Sequence, residues 1–187
     1  ILDKQYSFKI IHNLTNEGKG SSIITGAYHA LNDTIILMDG DLEIDINSIP
    51  KAIEAYEFHQ NYIILGNRWN EKSSTIHNIN TYGNFLINFL FNSLYDTNCR
   101  DILCCMKIID KKVFKSLDLK SKTFSIETEI MSKLACAGAL FHEIEVEYNR
   151  RRNNEGKKLK ISDGWSILWT MFLIKIKYRH RVFKPLP

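Results

Sequence analysis

Apolar and polar positions along the chain switch between a strand-like alternation and helix-like stripes. Phe8-Lys9-Ile10-Ile11 reads as a short strand, followed by a polar turn from His12 to Gly20. From Lys19 to Leu31 the spacing predicts a helix with Ile23, Ile24, Ala27 and Leu31 on one stripe. Thr34 to Met38 is an unbroken apolar run, the pattern of a strand buried on both faces as in a parallel sheet. A helix follows over Ser48 to His59, with Pro50 near its first turn and Ile53 and Tyr56 facing inward. Tyr62 to Leu65 is a third strand that closes on Gly66-Asn67-Arg68. Beyond a polar loop, Trp69 to Thr75, a long helix spans about Ile76 to Leu94. Its core-facing stripe is Ile79, Tyr82, Phe85, Leu86, Phe89 and Leu90.

The second half continues the alternation. Ile102 to Ile109 predicts a fourth strand containing Cys104 and Cys105, and Lys111 to Leu117 a short helix. Ser125 caps a helix from Glu127 to Gly138, where the glycine fits a left-handed C-cap. Phe141 to Tyr148 alternates, with Ile144 and Val146 inward and Glu143, Glu145 and Glu147 on a wet face. A basic loop, Asn149 to Lys160, leads into a final helix from about Ser162 to Arg181. Strands alternating with helices, without internal repeats, predict an α/β layered domain.

At 187 residues, 44% hydrophobic and 25% charged, the chain is long enough for one real core and too apolar for a disordered segment. Its four cysteines form no CxxC pair and have no histidine at metal spacing, which predicts reduced thiols in a reducing compartment. The longest apolar run, Trp165 to Ile174, is about half the length of a bilayer span. The net charge of +4 is uneven: from Arg150 onward there are eleven Lys or Arg against two acids, so the remainder is net acidic. Such an end is either a solvated face or a surface for phosphates or an anionic membrane. No RNA- or DNA-binding motif accompanies it, so nucleic acid is not among the expected partners.

The chemistry concentrates where the Thr34–Met38 run ends in Asp39-Gly40-Asp41-Leu42-Glu43. Carboxylates just past a buried strand sit at its carboxyl end, where open α/β sheets build ligand sites. In an extended segment Asp39 and Asp41 point the same way and converge on one ion, with Gly40 admitting close approach. Two hard oxygen ligands suit Mg2+ or Mn2+ shared with a diphosphate, the chemistry of a nucleotide-sugar transferase. The alternative is equally open: aspartates after strands also cap helices or make Asx turns. An EF-hand is excluded, since Ile44 and Pro50 occupy its required Gly and Glu positions. A P-loop is excluded because Lys19 is followed by Gly20, not Ser or Thr.

Several motifs in order then resemble family 2 glycosyltransferases: Asn16-x-Gly18-Lys19-Gly20, Asp39-Gly40-Asp41-Leu42-Glu43 and Gly66-Asn67-Arg68. Asp101-x-x-x-Cys105-x-Lys107, Phe124-x-Ile126-Glu127-x-Glu129-Ile130 and Tyr148-x-x-Arg151-x-x-x-Glu155-Gly156-Lys157-Lys158, with Asp163-Gly164, resemble the polyprenyl-phosphate (dolichol-phosphate-type) hexose transferase branch. The resemblance implies a GT-A-like (Rossmann-like) fold, a mostly parallel sheet flanked by helices. It divides the chain into a catalytic part, 1–160, and a C-terminal amphipathic basic helix, 161–187, at the membrane surface. It also implies inverting transfer of a hexose from a UDP- or GDP-sugar to a polyprenyl phosphate, at the cytoplasmic face of a membrane.

Residue by residue, the resemblance makes Asp39 and Asp41 the metal motif, with Glu43, where the family often has Gln, as a further ligand. Lys19, Asp39, Asp41 and Arg151 are its donor-binding residues. Arg68 is the candidate for gripping the acceptor phosphate, its guanidinium matching phosphate bidentately; the alternative is an Arg stacked on Trp69. Lys157 and Lys158 serve donor diphosphate, acceptor or membrane, or form a plain basic loop. Asp41, Arg68 and Glu127 are the candidate catalytic residues, with Glu127 orienting the acceptor site. Glu129 pairs instead with Lys133 one turn on. On the last helix, Trp165, Trp169, Phe172 and Leu173 run into Lys175, Lys177, Arg179 and Arg181. That pattern fits either a membrane-interface helix or a core helix with a charged tail.

The sequence also departs from the family. Its usual first strand with a Pro-x-Tyr-Asn-Glu-like segment, and a second ending in Asp-Asp-Gly-Ser, are not found, so the expectation is an N-terminally truncated fold with unpaired strand edges. Two other functions therefore stay open: transfer to a polysaccharide hydroxyl, which needs a general base, and a catalytically silent module binding lipid or a partner.

Overall fold

A computed structural model describes residues 9–69, 79–149 and 161–178. Their elements are α1 (Lys19–His29), β1 (Thr34–Leu37), α2 (Ser48–Phe58), β2 (Tyr62–Asn67), α3 (Ile79–Tyr95), β3 (Lys107–Asp110), α4 (Lys111–Ser116), α5 (Ile126–Cys136), β4 (Leu140–Glu145) and α6 (Ile161–Tyr178). The four strands form one sheet in the order β1-β3-β2-β4. β3 runs antiparallel to β1 and to β2, whereas β2 and β4 are parallel. The α/β architecture is as the alternation predicts, but the sheet is mixed rather than mostly parallel. A short apolar run states that a strand is buried, not which way its neighbour runs.

Side chains alternate across β2 and β3 to build two cores. Ile63, Leu65 and Ile109 enter the larger one with α3, α5 and α6, while Ile64 and Ile108 enter a smaller one beneath α2. Helices thus cover both faces of the sheet. β2 is the strand buried on both faces. In β1 only Ile35 and Leu37 are buried, Thr34 and Ile36 are exposed, and among the described strands it pairs with β3 alone. The Thr34–Met38 run is therefore an edge strand, one face wet. The strand expected over Phe8–Ile11 does not form in its described part: residues 9–11 have no ladder partner, and Ile10 and Ile11 are exposed.

The expected strand Ile102–Ile109 begins only at Lys107, because Asp101 to Met106 folds into turns. The stretch is pinned from its start: the Glu143 carboxylate accepts the backbone N–H groups of Arg100 and Asp101 at 2.7 and 3.0 Å. Glu143 thus belongs to a loop anchor rather than to a wet face.

Helix faces also differ from the simple stripes. Leu31 lies exposed beyond α1, and in α2 Ala52 is buried while Ile53 is exposed. In α3 the inward residues are Ile87, Phe91 and Tyr95, whereas Tyr82, Phe85, Leu86 and Phe89 face out. The reason lies in two asparagines that a stripe argument assigns to water. Asn88 donates to the Arg100 carbonyl at 2.6 Å and accepts from Ile102 N at 3.0 Å. Asn92 does the same with Cys99 O and Cys99 N, at 2.8 and 3.0 Å. Satisfying that loop's backbone turns the asparagine side of the helix inward.

Helix ends follow local rules. Asp110 caps α4 by accepting from Lys112 N and Val113 N at 2.7 and 3.1 Å. α5 ends as predicted, with Gly138 at φ +74° and a Schellman pair, Gly138 N to Ala135 O and Ala139 N to Leu134 O. Ser125 occupies the N-cap position but its side chain makes no capping bond. The inner face of α6 (Ile167, Met171, Ile174) is buried, Met171 within the main core, and the Tyr95 hydroxyl donates to the Met171 carbonyl at 2.7 Å. No helix among the described residues is long and apolar enough to cross a membrane.

Candidate active site

The site is built where β1 runs into the loop before α2. Asp39 lies two residues past the end of the strand, and Gly40-Asp41 is a turn rather than a continued strand. The two carboxylates are thus placed by a turn, not by strand alternation. The Asp41 Oδ1 accepts from Glu43 N at 3.1 Å, an Asx-type bond, and the left-handed residue is Leu42, at φ +62°. Gly40 has no neighbour within 4 Å of where a Cβ would stand. The loop is strapped to the segment after β4: Ile44 bridges Tyr148, Asp45 N donates to Glu147 O at 3.0 Å, and Asn149 N donates to Glu43 O at 2.7 Å. The Tyr148 hydroxyl reaches the Glu43 carboxylate at 3.3 Å.

Asp39 is joined to a buried network of charges. Lys19 Nζ lies 2.9 Å from the Asp39 Oδ2 and 3.0 Å from the Glu127 Oε1. The other oxygen of Glu127 takes Lys107 Nζ at 2.6 Å, and Lys107, fully buried, also donates to the Cys104 carbonyl. Burial works against the charged form of Glu127, but Lys107 and then Lys19 outweigh it and hold its carboxyl below the usual range. Burial likewise opposes the Lys19 ammonium, yet Glu127 and Asp39 raise its pKa above the usual value.

Lys19 reaches this position because α1 starts against the 121–122 loop. A Cβ on Gly20 would stand 2.1 Å from the Ser121 carbonyl oxygen, and one on Gly18, at φ +95°, 2.4 Å from that of Lys122. Gly20 N donates to Lys122 O at 2.8 Å, so this carbonyl partly occupies the helix start. The Lys19 side chain, rather than the helix end, carries the positive charge to the site.

Arg68, just past β2, is nearly buried. Its Nε and Nη2 donate to the two oxygens of Asp101 at 2.7 and 2.8 Å, and its backbone N–H donates to Oδ2 at 3.1 Å. Its guanidinium also lies over the rings of Trp69 (5.5 Å) and Tyr148 (5.3 Å). Burial disfavours its charge, but Asp101 outweighs that and keeps the guanidinium's pKa above its ordinary value. The fork foreseen for a phosphate is thus set on Asp101, and the stacking on Trp69 holds as well. Cys105 sits beside Asp39; the hydrogen bond with Cys104 lowers its pKa, against the opposing effect of burial. All four cysteines are free thiols.

Of the sequence candidates, the structure gathers Asp39, Lys19 and Glu127 in one network, and Arg68 with Tyr148, Glu43 and the Asp41 loop around a second. Arg151, Lys157 and Lys158 lie outside the described residues. Lys107 and Asp101 are the partners that pattern reasoning left without a role. The signal for Lys107 was a lysine inside the apolar run Met106 to Ile109, which demands a buried counter-charge. Among the described residues no group of three or more His, Cys, Asp or Glu is placed to hold a metal ion. The Glu43 carboxylate accepts from the Tyr148 hydroxyl. Two carboxylates still fit Mg2+ or Mn2+, which bind through one or two such groups and complete their shell with substrate phosphates and water.

Comparison with family models gives the family, and comparison with solved structures the fold. The profile of glycosyl transferase family 2 matches residues 1–118. A curated relative, glycosyltransferase AglJ of Haloferax volcanii, is 24% identical over 161 residues, covering 84% of this chain and 53% of its own. The fold resembles the crystal structure of glucosyl-3-phosphoglycerate synthase from Mycobacterium tuberculosis in complex with UDP. The TM-score is 0.59 at 12% identity, over 84% of this chain and 55% of that one. A second solved structure, a mycobacterial protein, gives a TM-score of 0.58 at 11% identity, over 89% and 53% of the two chains. The chain therefore spans about half the length of the relatives it matches.

Proposed function

The chain belongs to glycosyl transferase family 2, and from that premise we propose that it moves a hexose from a UDP- or GDP-sugar to a polyprenyl phosphate at the cytoplasmic surface of a membrane. The observation that carries the choice of acceptor is the state of Glu127. A hydroxyl acceptor needs a general base, with a pKa near the working pH. Glu127 is paired with two lysines and held below the ordinary carboxylate range, the reverse of that tuning. A phosphate acceptor is already anionic and needs no such base. UDP in the related mycobacterial synthase supports a nucleotide diphospho-sugar as donor.

In this reading Asp39 and Asp41 hold Mg2+ or Mn2+, which when bound supplies charge neutralisation at the departing diphosphate. Lys19 fixes Asp39 and adds positive charge beside it, and Glu127 with Lys107 fixes Lys19. Arg68, set by Asp101 and two aromatic rings, is a preorganised cation at the acceptor side. Arg151, Lys157 and Lys158 complete the phosphate contacts. The chain's work is then positioning and electrostatics rather than proton transfer.

The test offers radiolabelled UDP- and GDP-hexoses with polyprenyl phosphate and, separately, with oligosaccharide acceptors. Label is expected in the lipid phosphate, falling by roughly a hundredfold or more in Asp41→Ala. Label entering only hydroxyl acceptors would overturn the reading.

A further inference from the structure

Helix α5 carries a second buried carboxylate close to Glu127. Glu129 is 4% exposed and accepts from Lys133 Nζ at 2.6 Å. Its remaining capacity goes to main chain: Lys120 N donates to it at 3.0 Å and Ser121 N at 2.6 Å. Burial works against its charge, but Lys133 and these two N–H groups outweigh that and hold its carboxyl below the ordinary range. Lys133 also donates to the Asp118 carbonyl at 2.9 Å. Both members of the pair therefore grip the segment from Asp118 to Ser121, which lies outside any helix or strand.

That segment leads into the contact against which α1 starts. One residue on, the Lys122 carbonyl accepts from Gly20 N at 2.8 Å and from Ser21 N at 3.4 Å. The approach is close enough that a Cβ at Gly18 or Gly20 would collide with the Lys122 or Ser121 carbonyl oxygen. Lys19 lies between these two glycines in the chain. Its main chain is thus fixed from the loop, while its ammonium is fixed by Asp39 and Glu127.

We propose that Glu129 is a positioning residue for Lys19: through the 118–122 loop it sets where α1 begins, and so where the Lys19 ammonium meets Asp39. The inference deepens the donor-site reading above and rests on it for its effect on nucleotide. At i, i+2 the two carboxylates of α5 leave the helix on different sides, and each reaches Lys19 by its own route. A buried ion pair is often no more stabilising than apolar side chains of the same volume, so the use of this one lies in direction rather than strength. Without the carboxylate, the Lys120 and Ser121 N–H groups lose their partner and the loop turns them to water, away from α1. The Lys122 carbonyl goes with it and frees the first turn of α1, whose N–H groups have no partner within the helix. Asp39 then loses the cation that fixes one of its oxygens. Lys107 does not lie on this route, since Glu127 and the Cys104 carbonyl hold it in the core.

Acetylation of individual lysines by acetic anhydride, followed by mass spectrometry on the full chain, tests this. Lys19 and Lys107 are both expected to react slowly in the unaltered chain. In Glu129→Gln, Lys19 reacts roughly tenfold faster, the effect of about one charge-assisted hydrogen bond, while Lys107 stays slow. Gly20→Ala, which forces the same contact apart from the helix side, gives a second reading should the first variant not fold. A Lys19 that stays as slow as in the unaltered chain overturns the proposal. So does equal acceleration of Lys19 and Lys107, which reports general loosening. Mn2+-dependent binding of UDP and GDP then reads the link to the donor site. Glu129→Gln weakens it roughly tenfold, and adds almost nothing in the Lys19→Met background. An unchanged affinity, or the same loss in both backgrounds, overturns that link. An unaltered chain that binds neither nucleotide, with Lys19 still released by Glu129→Gln, overturns the nucleotide-site reading and supports the positioning.

Discussion

Glu127 shows what a single side chain sets in this molecule. It lies between a fully buried lysine and a half-buried one, and removing its charge strands Lys107 in the core. Glu127→Gln is expected to cost about 3–5 kcal/mol, read by urea unfolding at neutral pH. The pH dependence has a definite sign. The folded carboxyl titrates below its unfolded value of about 4.3, so its contribution is complete above that pH and is lost as pH falls through the lower folded value. The unfolding midpoint should therefore drop as pH falls below about 5, less steeply in Glu127→Gln. At this scale the sequence was readable wherever the partner is local. Glu129 pairs with Lys133 at 2.6 Å, as i,i+4 spacing predicts. Lys107 with Glu127, or Arg68 with Asp101, joins residues 20 and 33 apart, and no spacing rule connects them.

Elements were legible in kind and much less so in facing. Helices α1, α2, α5 and α6 fall within a few residues of the apolar stripes that predict them, and the glycine C-cap of α5 was visible as such. Gly138→Ala, at φ +74°, is expected to cost about 1 kcal/mol, seen as a lower thermal midpoint. α3 is apolar on most of its circumference, so hydrophobicity alone does not orient it. Asn88 and Asn92 do, by bonding the backbone of the loop from Cys99 to Ile102. The same local bonding shortens β3, because Asp101 is taken by Arg68 and the preceding N–H groups by Glu143. Where polar side chains bond the backbone instead of water, binary patterning reads the wrong face.

For the whole molecule, the α/β class followed from the alternation of elements, while strand direction did not. The antiparallel β3 between β1 and β2 sets β1 as an edge among the described strands and brings Asp39, at its end, next to Lys19 and the Glu127–Lys107 pair. The Asp41 loop is tied across the fold to Tyr148, and Tyr148 to Arg68. Among the described residues, one arrangement thus holds together Lys19, Asp39, the Asp41 loop and Arg68. We propose from it that Asp39 and Asp41 form a metal-dependent nucleotide site. Calorimetric titration of UDP and GDP into the purified chain, with and without Mn2+ and beside Asp41→Ala, tests it most directly. Binding of one nucleotide is expected, requiring Mn2+ and weakening by roughly tenfold or more in the variant. Binding that ignores both Mn2+ and the substitution, or no binding by a chain shown to be folded, would contradict it.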